Sequence, residues 1–190
     1  LWLHPETGPV DAVQRGRGLQ LTLVSGATLG GETVGSVSNG PRSATRRRRP
    51  YPGVYRSRHL ERAGKLAMVV TQNIDGLHTR GGTSSGRLVE LHGTNTAIEC
   101  MSCHARTDPD PHVKRFLETR TPPVCGCGGY LKPATISFGQ NLDPNELERA
   151  AAAVQETDLI VALGSTLSVY PAAGFPLAAA ERGVPYGVVN

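Results

Sequence analysis

The sequence predicts an α/β fold built on a parallel sheet and accompanied by a small cysteine-bearing module. Three observations carry this expectation. The runs LAMVVTQ (66–72) and DLIVALG (158–164) are apolar without alternation, the pattern of strands buried on both faces. Helix-forming sequence separates the second run from a third, YGVVN (186–190), which makes a β-α-β unit and hence a parallel pairing. All four cysteines fall within residues 100–127.

Taken in order, LQLTLVS (19–25) is one plausible short strand in an N-terminal stretch, 1–58, that otherwise shows no periodicity and is set apart as a head without a convincing fold. HLERAGK (59–65) reads as the end of a helix, with Gly64 near its C-terminus, and 66–72 as a buried strand. RLVELHG (87–93) is a short strand or turn. DPNELERAAAAVQETD has strong helix-start signals: Asp143 as N-cap, Pro144 at the first helical position and Glu146 three residues after the cap. After the strand at 158–164, PAAGFPLAAAERG (171–183) is a second helix closed by Gly183, and 186–190 begins a third strand.

The 190 residues suffice for one domain, or one domain with a small insertion, and for a real core. A hydrophobic content of 38% and a mean hydropathy of −0.24 suit a soluble globular protein. No stretch approaches the ~18 consecutive apolar residues of a membrane helix. The first residues, LWLHPETGPVDAV, lack the basic and apolar regions of a signal peptide, so a cytoplasmic protein is expected. The net charge of +4 divides unevenly. Residues 1–60 hold nine arginines, no lysine and three acids, a balance of +6; residues 61–190 hold eleven basic and thirteen acidic residues, a balance of −2. The four arginines at 46–49 could form a phosphate-binding patch. They sit among Gly, Ser and Pro without aromatic interleaving, which favours a solvated segment, and the acidic balance of 61–190 argues against a zinc-ribbon module that binds nucleic acid.

The cysteines stand as Cys100-x-x-Cys103, 21 intervening residues, and Cys125-x-Cys127. Two close thiol pairs on tight turns suit a tetrahedral structural zinc, with Gly126, Gly128 and Gly129 allowing the second turn to close. The alternatives are two disulfides, disfavoured in a chain without a secretion signal, and four unrelated buried thiols, disfavoured by the clustering of every cysteine in the chain. The single-residue spacing of the second pair departs from the usual two, and His104 is a possible substitute ligand.

Ligands of open parallel sheets bind beyond the carboxyl ends of the strands. Two loops stand there: QNIDGLH after 66–72 and GSTLSVYP after 158–164. Their small and hydrogen-bonding residues suit ribose hydroxyls, phosphates and a carboxamide, although a Gly-Ser-Thr turn can also be only a helix cap. His92, in VELHGT, is the candidate general base, because imidazole titrates near neutrality. His78, three residues after Asp75, is expected to be structural.

Together TQNIDGLH (71–78), ELHG (90–93), the two cysteine pairs, LKPATISFGQ (131–140), GSTLSVYP (164–171) and VVN (188–190) resemble the sirtuin family of NAD-dependent protein deacylases, in family order over 59–190. The resemblance implies a Rossmann-like NAD-binding domain (59–98 and 135–190) with an inserted zinc-binding module (99–134). It implies that Gln72, Asn73 and Asp75 line the nicotinamide–ribose pocket and that Gly164, Ser165 and Asn190 hold the adenosine side. His92 would accept a proton, and Cys100, Cys103, Cys125 and Cys127 would hold a structural Zn2+. Ser137, Phe138 and Gly139, with Ser168, Val169, Tyr170 and Pro171, would flank an acyl-lysine peptide added as a strand. In the implied reaction NAD is a co-substrate: the acyl oxygen displaces nicotinamide from ribose, a ribose hydroxyl deprotonated by His92 attacks the acyl carbon, and water releases lysine and O-acyl-ADP-ribose. The family's GAGIS-type loop and GIPDFR-type segment are not found in 1–60, where LTLVSGATLGGE comes nearest, and the chain stops at VVN where the family continues with a strand and helix. With the head as written, phosphate binding loses its main contacts, and weak NAD binding and little or no deacylation are expected.

Overall fold

The computed structural model describes residues 20–25, 52–137 and 139–189. Five parallel strands form the main sheet: β1 (Leu21–Ser25), β2 (Leu66–Thr71), β3 (Leu88–Glu90), β7 (Leu159–Leu163) and β8 (Tyr186–Val189), in the order β3-β2-β1-β7-β8. Helix α1 (Pro52–Arg62) precedes β2, the short α2 (Leu77–Arg80) follows it, α4 (Pro144–Glu156) precedes β7, and α5 (Gly174–Glu181) joins β7 to β8. Both faces of the sheet are covered, which is why its strands can be apolar throughout. Val24, Met68, Val70, Val89 and Ile160 pack on one face with Ala150 and Val154 of α4 and Phe175 and Ala179 of α5. Leu23, Leu66, Val69 and Leu88 pack on the other with Leu60 of α1.

Leu21–Ser25, inside the stretch set apart as a head, is the central strand. Val24 lies between Val70 of β2 and Ala162 of β7. Its register is fixed at the start: the Gln20 N–H donates to the Asp158 carboxylate at 2.9 Å, the Asp158 N–H donates back to the Gln20 carbonyl at 2.9 Å, and the Leu21 N–H reaches the Lys65 carbonyl. The boundary at 58 also falls inside α1, so the sheet is not confined to 59–98 and 135–190. Five residues, three of them apolar, with no periodic neighbours give no sign of their pairing; only long-range ladders show it. Residues 26–51, where the glycine-rich loop was sought, lie outside the described residues.

The other elements expected from the sequence agree with the structure within a residue or two at most ends. Helix α4 begins as expected: Asp143 accepts from the Asn145 N–H at 2.9 Å, with Pro144 in the first turn. Glu146 does not reach back to complete a capping box, because its carboxylate pairs with Arg149 one turn on, at 2.6 Å.

A second, antiparallel sheet, β5-β4-β6, comprises β4 (Gly93–Cys100), β5 (Arg106–Thr107) and β6 (Leu131–Thr135), with helix α3 (Pro109–Thr119) between β5 and β6. β4 runs out from the main sheet and β6 runs back, so the module hangs on two adjacent strands. No helix among the described residues is long and apolar enough to cross a membrane.

Candidate active site

In sequence order the strands run from β1 to β2 and β3 on one side and then to β7 and β8 on the other, so the strand order reverses between β1 and β7. Such a switch point leaves a crevice at the carboxyl ends of the strands, the usual ligand site of open α/β sheets. Gln72 and Ser165, one residue beyond β2 and two beyond β7, meet across that end: Gln72 Nε2 donates to Ser165 Oγ at 3.4 Å. Ser165 is buried, and its Oγ also accepts from the Leu167 N–H at 3.2 Å. Gly164 turns the chain with φ 58, and its N–H donates to the Val189 carbonyl.

The loop after β2 is shaped by its own side chains. Thr71 Oγ1 accepts from the Asn73 N–H at 3.1 Å, and Asp75 Oδ1 accepts from the Leu77 N–H at 3.0 Å, starting α2. Gly76 between them has φ 65. His78 is buried, and loss of water holds its imidazole below the ordinary value, opposed by the nearby Asp75 carboxylate.

His92 follows β3 at the turn into β4. Its carbonyl accepts from the Ile136 N–H at 2.9 Å, and its Nδ1 lies 3.1 Å from the Gln72 carbonyl. A carbonyl can only accept, so Nδ1 carries the hydrogen, and in the neutral ring the lone pair is then at Nε2. The imidazole is thereby fixed in the tautomer of a base at Nε2. Two residues back, Glu90 is half-buried, and burial first, then the Asp75 and Glu146 carboxylates, push its acid up to about 7 against the opposing charge of Arg106.

The four thiols come together in the second sheet. Cys100 ends β4, Cys103 closes the following turn, and Cys125 and Cys127 lie on a turn closed by Gly128 N–H to the Cys125 carbonyl and Cys125 N–H to the Gly129 carbonyl. Sγ of Cys100 lies 3.5 Å from that of Cys127, Sγ of Cys103 lies 3.8 Å from that of Cys125, and all four lie within 4.8 Å of one another. A tetrahedral zinc with bonds of about 2.3 Å separates its sulfurs by about 3.8 Å, so the set is near the geometry of a four-thiolate zinc site. The one-residue spacing is accommodated because Gly129 leaves room: a Cβ there would meet Ser102 Oγ at 2.5 Å and Cys100 Sγ at 2.7 Å. His104 is not part of the set. Its exposed ring pairs through Nδ1 with Glu99 at 3.2 Å, and Glu99 also accepts from Arg106 Nε at 2.9 Å.

The Sir2 family profile matches residues 45–171. The chain belongs to the Sir2 family. It is 40% identical over 143 residues to an NAD-dependent protein deacetylase of Rhodopseudomonas palustris, covering 75% of this chain and 56% of that protein. To NAD-dependent protein deacetylase 2 of Streptomyces coelicolor it is 44% identical over 133 residues, covering 69% and 55%. The chain thus spans about half the length of the curated relatives it matches. Among solved structures, Sir2Tm bound to a propionylated peptide superposes with a TM-score of 0.77 at 26% identity, covering 90% of this chain and 81% of that one. Sir2Af2 bound to a myristoylated histone peptide gives 0.68 at 31%, covering 90% and 78%.

Of the expected site residues in this Sir2-family chain, Gln72, Ser165 and His92 are joined by hydrogen bonds, with Asn73, Asp75 and Gly164 in the same two loops. Val169 and Tyr170 are exposed in the loop beyond Ser165, and Gly139 takes φ 81 after β6. Phe138 and Asn190 lie outside the described residues. Glu90 and the polar run Thr94-Asn95-Thr96, discussed below, were not singled out from the sequence. A Thr-Asn-Thr run, poor in strand formers at Asn95, was the available signal of a break in β4.

Proposed function

We propose that this chain removes acetyl or other acyl groups from protein lysine with consumption of NAD, releasing nicotinamide and O-acyl-ADP-ribose. The observation that carries this reading is the fixed tautomer of His92, set by the Gln72 carbonyl, at a switch-point crevice that Gln72 and Ser165 span. NAD would supply an electrophilic ribose carbon, so no hydride moves and the protein is a transferase. Gln72, Asn73 and Asp75 would hold the nicotinamide and its ribose, and Gly164, Ser165 and Asn190 the adenosine side. His92 Nε2 would take the proton of a ribose hydroxyl, its Nδ1–H staying on the Gln72 carbonyl throughout. Phe138, Gly139, Val169 and Tyr170 would line the acylated peptide; the exposure of Val169 and Tyr170 supports this role. The peptide complexes of the similar structures support an acyl-lysine substrate.

Cys100, Cys103, Cys125 and Cys127 would hold one structural zinc in the module 99–134, away from the chemistry. Four free thiols in ligand geometry suit a reducing compartment, here read as the cytoplasm.

The test is nicotinamide release from NAD with an acetyl-lysine peptide. Release should require both substrates, and His92→Ala should lower it by about a hundredfold to ten-thousandfold, the usual worth of a positioned base. Absence of release from the unaltered chain at saturating NAD would refute the proposal.

A further inference from the structure

Beyond Gly93, β4 does not pair evenly with β6. The ladder holds at Gly93 with Thr135 and resumes at Ile98 with Pro133, so residues 94–97 stand opposite Ala134 alone. The start of this bulge is pinned: Gly93 has φ 71, and a Cβ there would run into the Ala134 carbonyl. Inside it, Thr94 Oγ1 accepts from the Thr96 N–H at 3.2 Å and shares a 2.8 Å hydrogen bond with the Thr96 hydroxyl. The folded bulge then grips the loop after β2 at two points. The Asn95 N–H donates to the Ile74 carbonyl at 2.8 Å, and the Thr96 methyl fills the space where a Cβ on Gly76 would come within 2.5 Å of it. Ile74 and Gly76 flank Asp75, whose carboxylate is already turned onto the Leu77 N–H. Asp75 is therefore held from both sides, once by its own loop and once by β4.

We propose that the 94–97 bulge sets the position of Asn73 and Asp75 relative to His92, with Thr94 as a positioning residue for NAD binding; this rests on the reading of the crevice as an NAD site. Thr94 does not itself contact the loop in these hydrogen bonds. It shapes the turn that presents the Asn95 N–H and the Thr96 methyl. β4 continues from the bulge to Cys100, so the bulge also joins the thiol cluster to the cofactor loop through one strand.

Thr94→Val keeps the shape of the side chain and removes its hydroxyl, and Thr94→Ser keeps the hydroxyl. Amide hydrogen exchange on the unliganded protein should show the Asn95 and Leu77 amides exchanging about fivefold to thirtyfold faster in Thr94→Val, the range expected for losing one or two hydrogen bonds, and near the parent rate in Thr94→Ser. In turnover, Thr94→Val should raise the KM for NAD by a similar factor and leave kcat within about twofold. If Thr94→Val fails to fold, Thr96→Ser, which removes only the methyl against Gly76, should still speed exchange at Leu77. Parent-like exchange across 73–78 in Thr94→Val, or in Thr96→Ser where that variant stands in, overturns the proposal. Loop exchange that depends on Thr94 in a protein whose exchange and turnover ignore NAD would uphold the positioning role and refute the NAD reading instead.

Discussion

Glu90 shows how one side chain links the site to stability. Its acid titrates at about 7 in the folded chain against an ordinary 4.5, because burial and the Asp75 and Glu146 carboxylates disfavour its charge. The fold therefore prefers the protonated form. That preference contributes fully below about pH 4.5 and is lost as pH rises through about 7. Glu90→Gln, neutral at every pH, should match the parent's stability near pH 4.5 and exceed it above neutrality. The gain at about pH 8 should be on the order of 1 to 2 kcal/mol, discounted for partial contact with water. Thermal melts of both proteins across this range check it, and a gain that shrinks as pH rises would contradict it. Sequence alone gave ELHG as a motif centred on His92. Nothing in it told that Glu90 would face two other acids, since Asp75 comes from another loop and Glu146 from the first turn of α4.

Helix α4 is the element whose design was most legible and whose anchoring was least so. Its Asp143 cap, Pro144 start and apolar face on Ala150 and Val154 follow from local sequence. Replacing the cap, Asp143→Ala, should cost about 1 kcal/mol, seen as a lower urea midpoint with an unchanged m-value. Its tethers are non-local. Arg149 donates to the Ser85 carbonyl at 2.8 Å and the Leu88 carbonyl at 3.1 Å, tying the helix to the start of β3. Arg182 donates to the Val154 and Gln155 carbonyls at 2.6 Å each, closing the C-terminus from 27 residues or more away. Either arginine reads in the sequence as a surface charge. Helix α3 was not expected, although Asp108 and Pro109 repeat the cap-and-proline start of α4 and Val113, Phe116 and Leu117 stand at helical spacing; in the structure it buries only Pro109.

At the scale of the whole molecule, the two sheets differ in what holds them. The parallel sheet buries a continuous apolar core on each face. Around the second sheet Met101, Phe116, Leu117, Val124 and Tyr130 are exposed, and Ile98, Cys100, Pro109 and Ala134 are its few buried side chains, so little apolar burial stabilises the module. A metal held by the four thiols, as proposed above, would add folding free energy there. Zinc should co-purify with the chain and be absent from Cys100→Ser. Removing it with a chelator should open amide exchange across 99–134 while β1, β2 and β7 stay protected. Equal loss of protection in both sheets would show that the module is not held separately.

The sequence by itself determined the class of fold, because strands buried on both faces and a well-capped helix are written in local composition. It also singled out the four cysteines and His92 as candidates, since the spacing of cysteines and the ELHG motif are read along the chain. Only the tertiary structure decided that Leu21–Ser25 is the centre of the sheet, that the Gln72 carbonyl meets His92 Nδ1, that His104 belongs to Glu99 and not to the thiols, and that a bulge in β4 grips the loop after β2. Each is a pairing between residues whose partners are set by strand order or by a turn. Local propensity places a residue in an element, whereas contacts of this kind depend on where the elements meet.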